Sequence, residues 1–330
     1  MPTPIPFREL WKASVPSWVR MAPIHHEGVL VARVRAELRA FNSATGDVLW
    51  SVNVDPGRGS GHLLHRSGGL LVTDRRPDPE RTTELVIVRQ GTIVSTIRTN
   101  AIIVSEASFV QGDTFRAIVN DPRTGVAYRA FDVARGTKIA DASLTDVGGD
   151  MLLPFGDQMI VGNRMASPGL YWMQPDGTRG DALEQVPAQA MEVSGNRLIA
   201  SLLEESTETR TLRAYDLARG TVLWSAPAES PVVGIDGDLA VSFERGGEGL
   251  PVFRDAATGV VRWRAAPLAQ KPASIWFAGP YVFIAQVSGM TAYARDSGTV
   301  VADIPSCATA QHVNGKLYVG GLGSLTCYAV

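Results

Sequence analysis

The sequence predicts an all-β protein made of eight repeats of about 42 residues, and three observations carry this prediction. Two series of glycines recur at this spacing, out of phase with each other. Four short apolar segments, separated by glycine, aspartate and asparagine turns, occupy each repeat. No repeat contains an apolar pattern of period 3.6 that is long enough for a helix. We label the four predicted strands of each repeat A to D.

The first glycine series ends the pattern A-x-D/N-x-x-T/R-G, which is often followed by x-x-x-W. Successive members are 39 to 45 residues apart, and we assign them to the turns between strands C and D. The clearest copies are residues 38–50, 128–140, 212–224 and 251–263, with weaker copies at 290–302 and from Leu85 and Leu170. The glycines are Gly46, Gly91, Gly136, Gly177, Gly220, Gly259 and Gly298.

The second glycine series precedes an apolar, strand-like run in every repeat, such as VLVARV after the first member. We assign these glycines to the turns between strands A and B. They are Gly28, Gly68, Gly112, Gly156, Gly195, Gly237, Gly279 and Gly315. This series therefore has one member more than the first, and the missing glycine would fall just beyond Val330.

The ends of the chain supply the remaining strand. The last repeat stops after strand C, and residues 8–15 (RELWKASV) match strand D of the other repeats. Four strands at this period describe a β-propeller blade rather than a helical solenoid. We therefore predict an eight-bladed β-propeller of four-stranded antiparallel blades, in which residues 8–15 complete the C-terminal blade and close the ring. Residues 1–330 are predicted to form this single domain.

Composition excludes several classes of function. The net charge of −2 provides no general basic field for a nucleic acid. No apolar run approaches the ~20 residues that span a membrane. The N-terminal residues MPTPIPFRELWKASV lack a basic stretch followed by an apolar one, so we expect a cytoplasmic protein. Cys307 and Cys327 are predicted to be small apolar fillers on strands A and C, roughly 10 Å apart and too distant for a disulfide.

The repeated pattern resembles the tryptophan-docking repeat of propellers related to the pyrroloquinoline quinone dehydrogenases. It is also similar to the propeller lipoprotein of the outer-membrane β-barrel assembly machinery. The resemblance covers the whole chain and implies that the glycine makes a turn while the tryptophan packs on the neighbouring blade. Gly46 with Trp50, Gly220 with Trp224 and Gly259 with Trp263 match fully, and Trp11 matches without its glycine.

Two departures from these relatives limit what the resemblance implies. The quinone dehydrogenases carry adjacent cysteines at the cofactor, whereas Cys307 and Cys327 are not adjacent. The assembly lipoprotein has a signal peptide and an acylated cysteine, and neither is visible here. A shared fold does not imply a shared function. We therefore expect a bacterial monomer that needs no cofactor or metal and binds neither nucleic acid nor membrane.

A ligand site is predicted at the mouth of the central channel. The B–C loops and the connections between blades form one face of a propeller, which we call the top face, and concave sites of this fold lie at its centre. Polar residues occupy the starts of several A strands on this face, and His62, Glu106 and Asp150 could also form a metal or acid–base site. The predicted ligand-binding residues are Arg20, His62, Glu106, Asp150, Gln189, Glu229 and Lys271. A hydrated polar vestibule without a ligand is the open alternative.

Two further groups of side chains are less specific. The residue three positions before the A–B glycine is expected to pack near the far end of the channel. These residues are His25, His65, Phe109, Leu153, Glu192, Trp276 and His312. The long B–C loops of blades 2 to 6 each carry an arginine, which suggests an anion-binding rim or a mixed charged surface. These arginines are Arg75, Arg123, Arg164, Arg210 and Arg245.

All recognisable motifs are structural, which favours a non-catalytic binding or scaffold propeller. It would engage a protein or small-molecule partner at the top face and channel mouth. The alternative is an enzyme of a small-molecule pathway acting at the channel mouth, either a quinoprotein-like oxidoreductase or a cofactor-free lyase or hydrolase. A sensor domain akin to the propellers of bacterial kinases is a third reading. The sequence leaves catalysis open.

Overall fold

Eight antiparallel sheets form a ring, which confirms the predicted eight-bladed β-propeller. This computed structural model describes residues 7–19, 21–54, 64–78, 82–165, 168–204, 206–244, 249–287, 289–305 and 307–330. No helix occurs within these ranges. Consequently, the described part of the chain contains no helix that could cross a bilayer.

The strands of the first four blades follow the predicted order A to D. Before them comes β1 (Arg8–Trp18). Blade 1 contains β2 (Ile24–His26), β3 (Val29–Val34), β4 (Glu37–Asn42) and β5 (Val48–Asn53). Blade 2 contains β6 (Leu64–Ser67), β7 (Leu70–Asp78), β8 (Thr82–Arg89) and β9 (Thr92–Arg98). Blade 3 contains β10 (Ile102–Gln111), β11 (Thr114–Asp121), β12 (Gly125–Asp132) and β13 (Thr137–Ser143). Blade 4 contains β14 (Met151–Phe155), β15 (Gln158–Gly162), β16 (Leu170–Met173) and β17 (Arg179–Glu184).

The remaining blades repeat the same order. Blade 5 contains β18 (Ala188–Ser194), β19 (Arg197–Glu204), β20 (Thr209–Asp216) and β21 (Thr221–Pro227). Blade 6 contains β22 (Gly234–Asp236), β23 (Leu239–Glu244), β24 (Leu250–Asp255) and β25 (Val261–Arg264). Blade 7 contains β26 (Pro272–Ala278), β27 (Tyr281–Gln286), β28 (Gly289–Ala294) and β29 (Val300–Pro305). Blade 8 contains β30 (Cys307–Val313), β31 (Lys316–Ala329) and β1.

The N-terminal strand completes blade 8, as predicted. Residues 316–321 of β31 pair with β30, and residues 322–329 pair with β1. Gly323 has a φ of 73°, and the Val330 amide donates to the Gly315 carbonyl at 3.0 Å. The two halves of β31 therefore lie side by side as strands B and C, and β1 supplies strand D.

The A–B turns contain the predicted glycines, all eight with positive φ. Each turn has two residues between the paired strand ends, and such hairpins need positive φ at defined positions. In blades 2 to 7 the glycine is the first turn residue, with φ of 53° to 59°. In blades 1 and 8 it is the second, after Glu27 (φ 47°) and Asn314 (φ 51°). The A strands of blades 1 and 8 are consequently offset by one residue relative to this glycine.

The C–D turns explain the aspartate or asparagine of the repeat. In blade 6 the Asp255 carboxylate accepts a hydrogen bond from the Ala257 amide at 3.0 Å. The Asp255 carbonyl accepts from the Gly259 amide at 2.8 Å. Because Gly259 has a φ of 74°, a residue without a Cβ closes the turn without strain. The seven C–D glycines all have positive φ, as the turn assignment predicts.

Tryptophans dock between neighbouring blades. Each indole covers the C–D glycine of the next blade, so a Cβ added to Gly259 would lie 2.7 Å from Trp224. The Trp224 Nε1 group also donates to the Ala256 carbonyl at 3.0 Å. This confirms the packing that the resemblance implies. The docked pairs are Trp11 on Gly46, Trp50 on Gly91, Trp224 on Gly259 and Trp263 on Gly298.

The hydrophobic core is divided among the interfaces between blades. Between blades 2 and 3, for example, Leu85 and Ile97 pack with Phe115 and Phe131, and all four are buried. Each blade thus buries its two faces against its two neighbours. Stability in such an array is approximately a sum of contributions from nearest neighbours.

We expect Gly259→Ala to destabilise the protein by about 1–3 kcal/mol more than Gly220→Ala, because only at Gly259 would the new methyl group collide with an indole. Gly220 is a matched control, since its φ of 65° gives a similar backbone strain and nothing lies within 4 Å of its Cβ position. Urea unfolding of the two variants measures the difference. Equal losses of stability would contradict a tight fit between Trp224 and Gly259.

Candidate binding site at the channel mouth

The A strands surround the channel. From β2 to β30, each A strand contacts the A strand of the next blade, so these strands are innermost. They begin on the top face and end at the A–B turns on the opposite face. Arg20 and His62 lie outside the described residues, and Glu106 is described only as part of the backbone of β10. The other four predicted ligand-binding residues can be placed.

These four residues lie at the starts of four successive blades. Asp150 directly precedes β14 and is half-buried, and Gln189 lies in β18. Glu229 follows β21, and Lys271 directly precedes β26; both are exposed. They therefore share the top-face edge of blades 4 to 7. That they bind one ligand together stays a prediction.

Gln189 joins a loop of blade 4 to the A strand of blade 5. Its Nε2 group donates to the Arg164 carbonyl at 3.0 Å, and the Arg164 Nε group donates to the Gln189 carbonyl at 3.1 Å. Two antiparallel hydrogen bonds of this kind hold the B–C loop of blade 4 in one position. The Gln189 amide is thus engaged in holding the protein's own loop.

The same arrangement recurs in the following blades. One Nη group of Arg210, at the start of β20, donates to the Glu229 carbonyl at 2.6 Å, which holds the connection between blades 5 and 6 against strand C of blade 5. In blade 7, Gln286 accepts a hydrogen bond from the Gln270 amide at 3.0 Å. The sequence pattern did not reveal the roles of Arg164 and Arg210 as loop anchors, since each depends on a carbonyl in another blade.

At least three of the arginines expected at the B–C loops interact with groups of the protein itself, which favours the mixed charged surface over the anion-binding rim. Arg75 pairs with Glu84 at 2.8 Å, and Arg164 and Arg210 donate to backbone carbonyls. Arg245 lies outside the described residues. Arg123 is exposed, and among the described residues its guanidinium has no hydrogen-bond or ion-pair partner.

Apolar side chains project from three B–C turns of the top face. Met165 in blade 4 is 80% exposed, Val287 in blade 7 is 83% exposed, and Leu322 in blade 8 is 59% exposed. Comparable exposure also occurs away from this face, for example at Ile139 (56%) and Val260 (64%), but among the described residues only at these tips do the apolar side chains lie beside the channel-mouth loops. The top face therefore combines anchored loops with apolar tips.

The side chains predicted to pack at the far end of the channel do not all point the same way, because the A–B turns place the glycine at two different positions. His65 faces blade 3, where its Nε2 atom lies 3.2 Å from the Ser108 Oγ and its ring packs against Phe115. His25 instead stacks on Tyr318 of blade 8, with ring centroids 5.7 Å apart. The one-residue offset in blades 1 and 8 turns His25 and His312 to the opposite side. The expectation that all seven side chains share one register is thus wrong.

Two titratable side chains lie near this end of the channel. Burial lowers the pKa of His65 to about 4. Glu192 is exposed at the surface of the A strand, and partial loss of solvation raises the pKa of its carboxyl to about 7. The fold therefore favours the neutral forms of both side chains.

Neither cysteine has the properties of a reactive thiol. Cys307 and Cys327 are buried and unbridged, which confirms that they form no disulfide with each other. Burial raises the pKa of Cys307 to about 12 and that of Cys327 to about 11, so both are neutral thiols at physiological pH. Within the part of the chain that the structure describes, no three His, Cys, Asp or Glu side chains converge as metal ligands.

We expect the contribution of His65 to stability to fall by about 3 kcal/mol as the pH drops from 6.5 through 4, because the unfolded state then takes up a proton that folded His65 resists. Glu192 acts in the opposite direction, because between pH 4.5 and 7 folded Glu192 retains a proton that the unfolded state loses. The two contributions oppose each other between pH 4.5 and 6.5, so urea unfolding of the unmodified protein as a function of pH measures their sum.

Two variants separate these effects. His65→Phe should leave the fall of stability with rising pH that Glu192 causes, and Glu192→Gln should leave the fall with decreasing pH that His65 causes. Each variant thus reveals the slope that the other removes. A variant whose pH profile matches that of the unmodified protein would show that the neighbouring strands do not perturb the replaced side chain.

Comparisons with solved structures agree with this architecture. BamB from Moraxella catarrhalis superimposes with a TM-score of 0.74 and 13% identity, covering 98% of this chain and 100% of that one. The computationally designed Ika8 protein gives a TM-score of 0.76 and 13% identity, with 98% and 100% covered. The C-terminal WD40 domain of Sif2 gives 0.67 and 15%, with 98% of both chains covered. Similarity at these identities shows the fold alone.

Sequence comparison identifies the family. A search of curated protein sequences found no match. A family model described as outer membrane protein assembly factor BamB matches residues 8–101 and 123–329. These residues include β1 and strands of all eight blades, as the ring requires. The chain therefore belongs to the protein family described as outer membrane protein assembly factor BamB.

Proposed function

We propose that this propeller is a non-catalytic scaffold that binds a partner protein through its top face and channel mouth. The observation that carries the proposal is the set of exposed apolar tips, Met165, Val287 and Leu322, on B–C turns of that face. Membership of a family described by an assembly factor supports the same class of function. A binding surface needs apolar anchors surrounded by polar groups, and this face provides both.

The anchored loops favour binding because they reduce its entropic cost. The hydrogen bonds between Arg164 and Gln189, and from Arg210 to the Glu229 carbonyl, fix two neighbouring loops before a partner arrives. A loop that is already held in position loses less conformational freedom on association. The same contacts give the Gln189 side chain a structural role at this edge.

The family resemblance to quinone-dependent enzymes leaves a catalytic function as the alternative. The buried, neutral thiols of Cys307 and Cys327 do not resemble the adjacent cysteines of those enzymes. Addition of pyrroloquinoline quinone and calcium to the purified protein tests this alternative directly. A new absorbance band or a rise in melting temperature would favour it over a scaffold.

The scaffold proposal predicts that a single charged residue on an apolar tip weakens partner binding at least about tenfold, since it places an unpaired charge inside the interface. Met165→Glu and Val287→Glu are suitable because both side chains are exposed and their replacement should not affect folding. The partner is first captured by affinity purification and identified by mass spectrometry. Its dissociation constant is then measured with the purified protein and each variant.

Ile139→Glu is the matched control. Ile139 is 56% exposed on β13, at the outer edge of blade 3, so the chemical change is the same but lies away from the top face. We expect this variant to bind within about twofold of the unmodified protein. A partner that tolerates both tip variants but is lost with Ile139→Glu would place the interface on the circumference of the ring and contradict the proposal.

A further inference from the structure

A groove of about 1120 Å³ separates blades 2 and 3 on the circumference of the ring. Thr96 to Arg98 of β9 form one wall, and Phe131, Gly136 and Lys138 of blade 3 form the other. The groove continues to Pro122 and Arg123 in the B–C turn of blade 3. It therefore runs along the full height of the blade, from the C–D turn to the top face.

The groove lies where the docking tryptophan is missing. Ser95 pairs with Ile87 in the same way that Trp50 pairs with Ala40, and a register shift follows both pairs. Ser95 thus occupies the tryptophan position of blade 2. A Cβ on Gly136 would lie 3.1 Å from the Ser95 Oγ. A small hydroxyl group stands where an indole covers the corresponding glycine in four other blades, and space remains above Gly136.

The charges of the groove are arranged in two layers. The carboxylates of Asp121 and Glu84 are buried, with side-chain exposures of 9% and 5%. Buried Arg129 holds Asp121 at 2.5 Å, and this hydrogen bond lowers the pKa of the Asp121 carboxyl. Arg98 pairs with Glu84 at 2.8 Å but is 77% exposed. The acidic groups are thus covered by basic ones.

The accessible surface of the groove is consequently basic. Lys138 is 49% exposed and pairs with Asp141, which is 36% exposed. Arg123 is exposed, and no described residue neutralises its guanidinium. The lining contains four basic residues, Arg98, Arg123, Arg129 and Lys138, and one acidic residue, Asp121. Carboxylates pair with three of the four basic side chains, and Arg123 is the one that no described carboxylate pairs with.

The dimensions of the groove suit an extended peptide. β13 has seven residues, which corresponds to a length of about 23 Å at 3.3 Å per residue. The volume exceeds the range of about 300–1,000 Å³ that is usual for small-molecule pockets. A short stretch of extended chain fills such a space, and an aromatic side chain fits above a glycine that indoles cover elsewhere in this protein.

We propose that this groove binds an extended acidic peptide of a partner protein, with an aromatic side chain above Gly136 and carboxylates beside Arg123, Arg98 and Lys138. The aromatic side chain of the peptide makes with Gly136 the same contact that Trp50 of this chain makes with Gly91. The site lies mainly on the circumference of the ring, reaches the top face only at the B–C turn of blade 3, and does not rest on the scaffold proposal. An aromatic ring supplies the largest part of the apolar contact, and the basic side chains select acidic sequences.

The probe is a fluorescein-labelled peptide of about eight residues with one central tryptophan among aspartates and glutamates. Its binding is measured by fluorescence polarisation. Ser95→Trp should fill the space above Gly136 and weaken binding at least about tenfold. The same variant should keep or raise the melting temperature, because it restores an interblade docking contact. Unaltered affinity in a folded Ser95→Trp variant would overturn the proposal.

Charge variants test the second part of the site. Arg123→Glu breaks no internal ion pair and should weaken binding about tenfold, with a smaller dependence on salt. Arg219→Glu is the control, because Arg219 is 79% exposed in the C–D turn of blade 5, and its effect should stay within about twofold. Equal effects of the two variants would show only a general attraction between opposite charges and would contradict a defined site.

Two further probes decide which chemistry the groove recognises. Replacing the tryptophan of the peptide by alanine should weaken binding about tenfold, whereas equal binding would remove the role assigned to Gly136. An oligothymidylate tests whether stacked bases and phosphates bind in the same place. Binding of the oligothymidylate in preference to the acidic peptide would overturn the proposal in favour of a nucleic-acid site.

Discussion

The contact between an indole and a glycine with positive φ in the next blade determines the C–D turn, the packing between blades and the closure of the ring. The turn requires a positive φ, which selects glycine, and the missing Cβ gives the indole of the preceding blade a flat surface. A single residue type thus serves both the turn and the interface. Because Trp11 belongs to the N-terminal strand and covers Gly46, the same contact joins blade 8 to blade 1 and closes the ring. Its Nε1 group also donates to the Ser43 carbonyl at 3.1 Å.

The sequence was sufficient to predict this architecture because the turns have local chemical requirements. All fifteen glycines assigned to turns have positive φ, and residues 8–15 pair with the last repeat. The aspartate or asparagine of the better-matching C–D turns, such as Asp255, is likewise explained by hydrogen bonds within the turn. Each of these features depends on a few neighbouring residues, so the sequence of a single chain displays it.

The direction of the side chains along the A strands was harder to predict from the sequence, because it depends on whether the glycine is the first or the second residue of the A–B turn. The A–B glycine is the second turn residue after Glu27 and Asn314 but the first in blades 2 to 7, which shifts the register by one. The Asn-Gly pair at residues 314–315 was a visible signal of this difference. At the channel mouth, β18 has a bulge between Ala188 and Ala190 that includes Gln189. Counting residues from the glycine therefore placed Gln189 at the correct end of the blade without fixing the direction of its side chain.

A ring of eight similar interfaces keeps its fold although, among the described residues, only four of them contain a docked tryptophan. Stability is distributed over nearest neighbours, so the loss at Ser95 is confined to the interface between blades 2 and 3. The buried pair of Arg129 and Asp121 still holds blade 3 together there, and Arg129 also donates to the Thr99 carbonyl at 2.6 Å. A polar network below the surface thus maintains the interface while the space above Gly136 stays open. Departures from the repeat therefore identify candidate binding sites in a fold whose regular positions are occupied by its own packing.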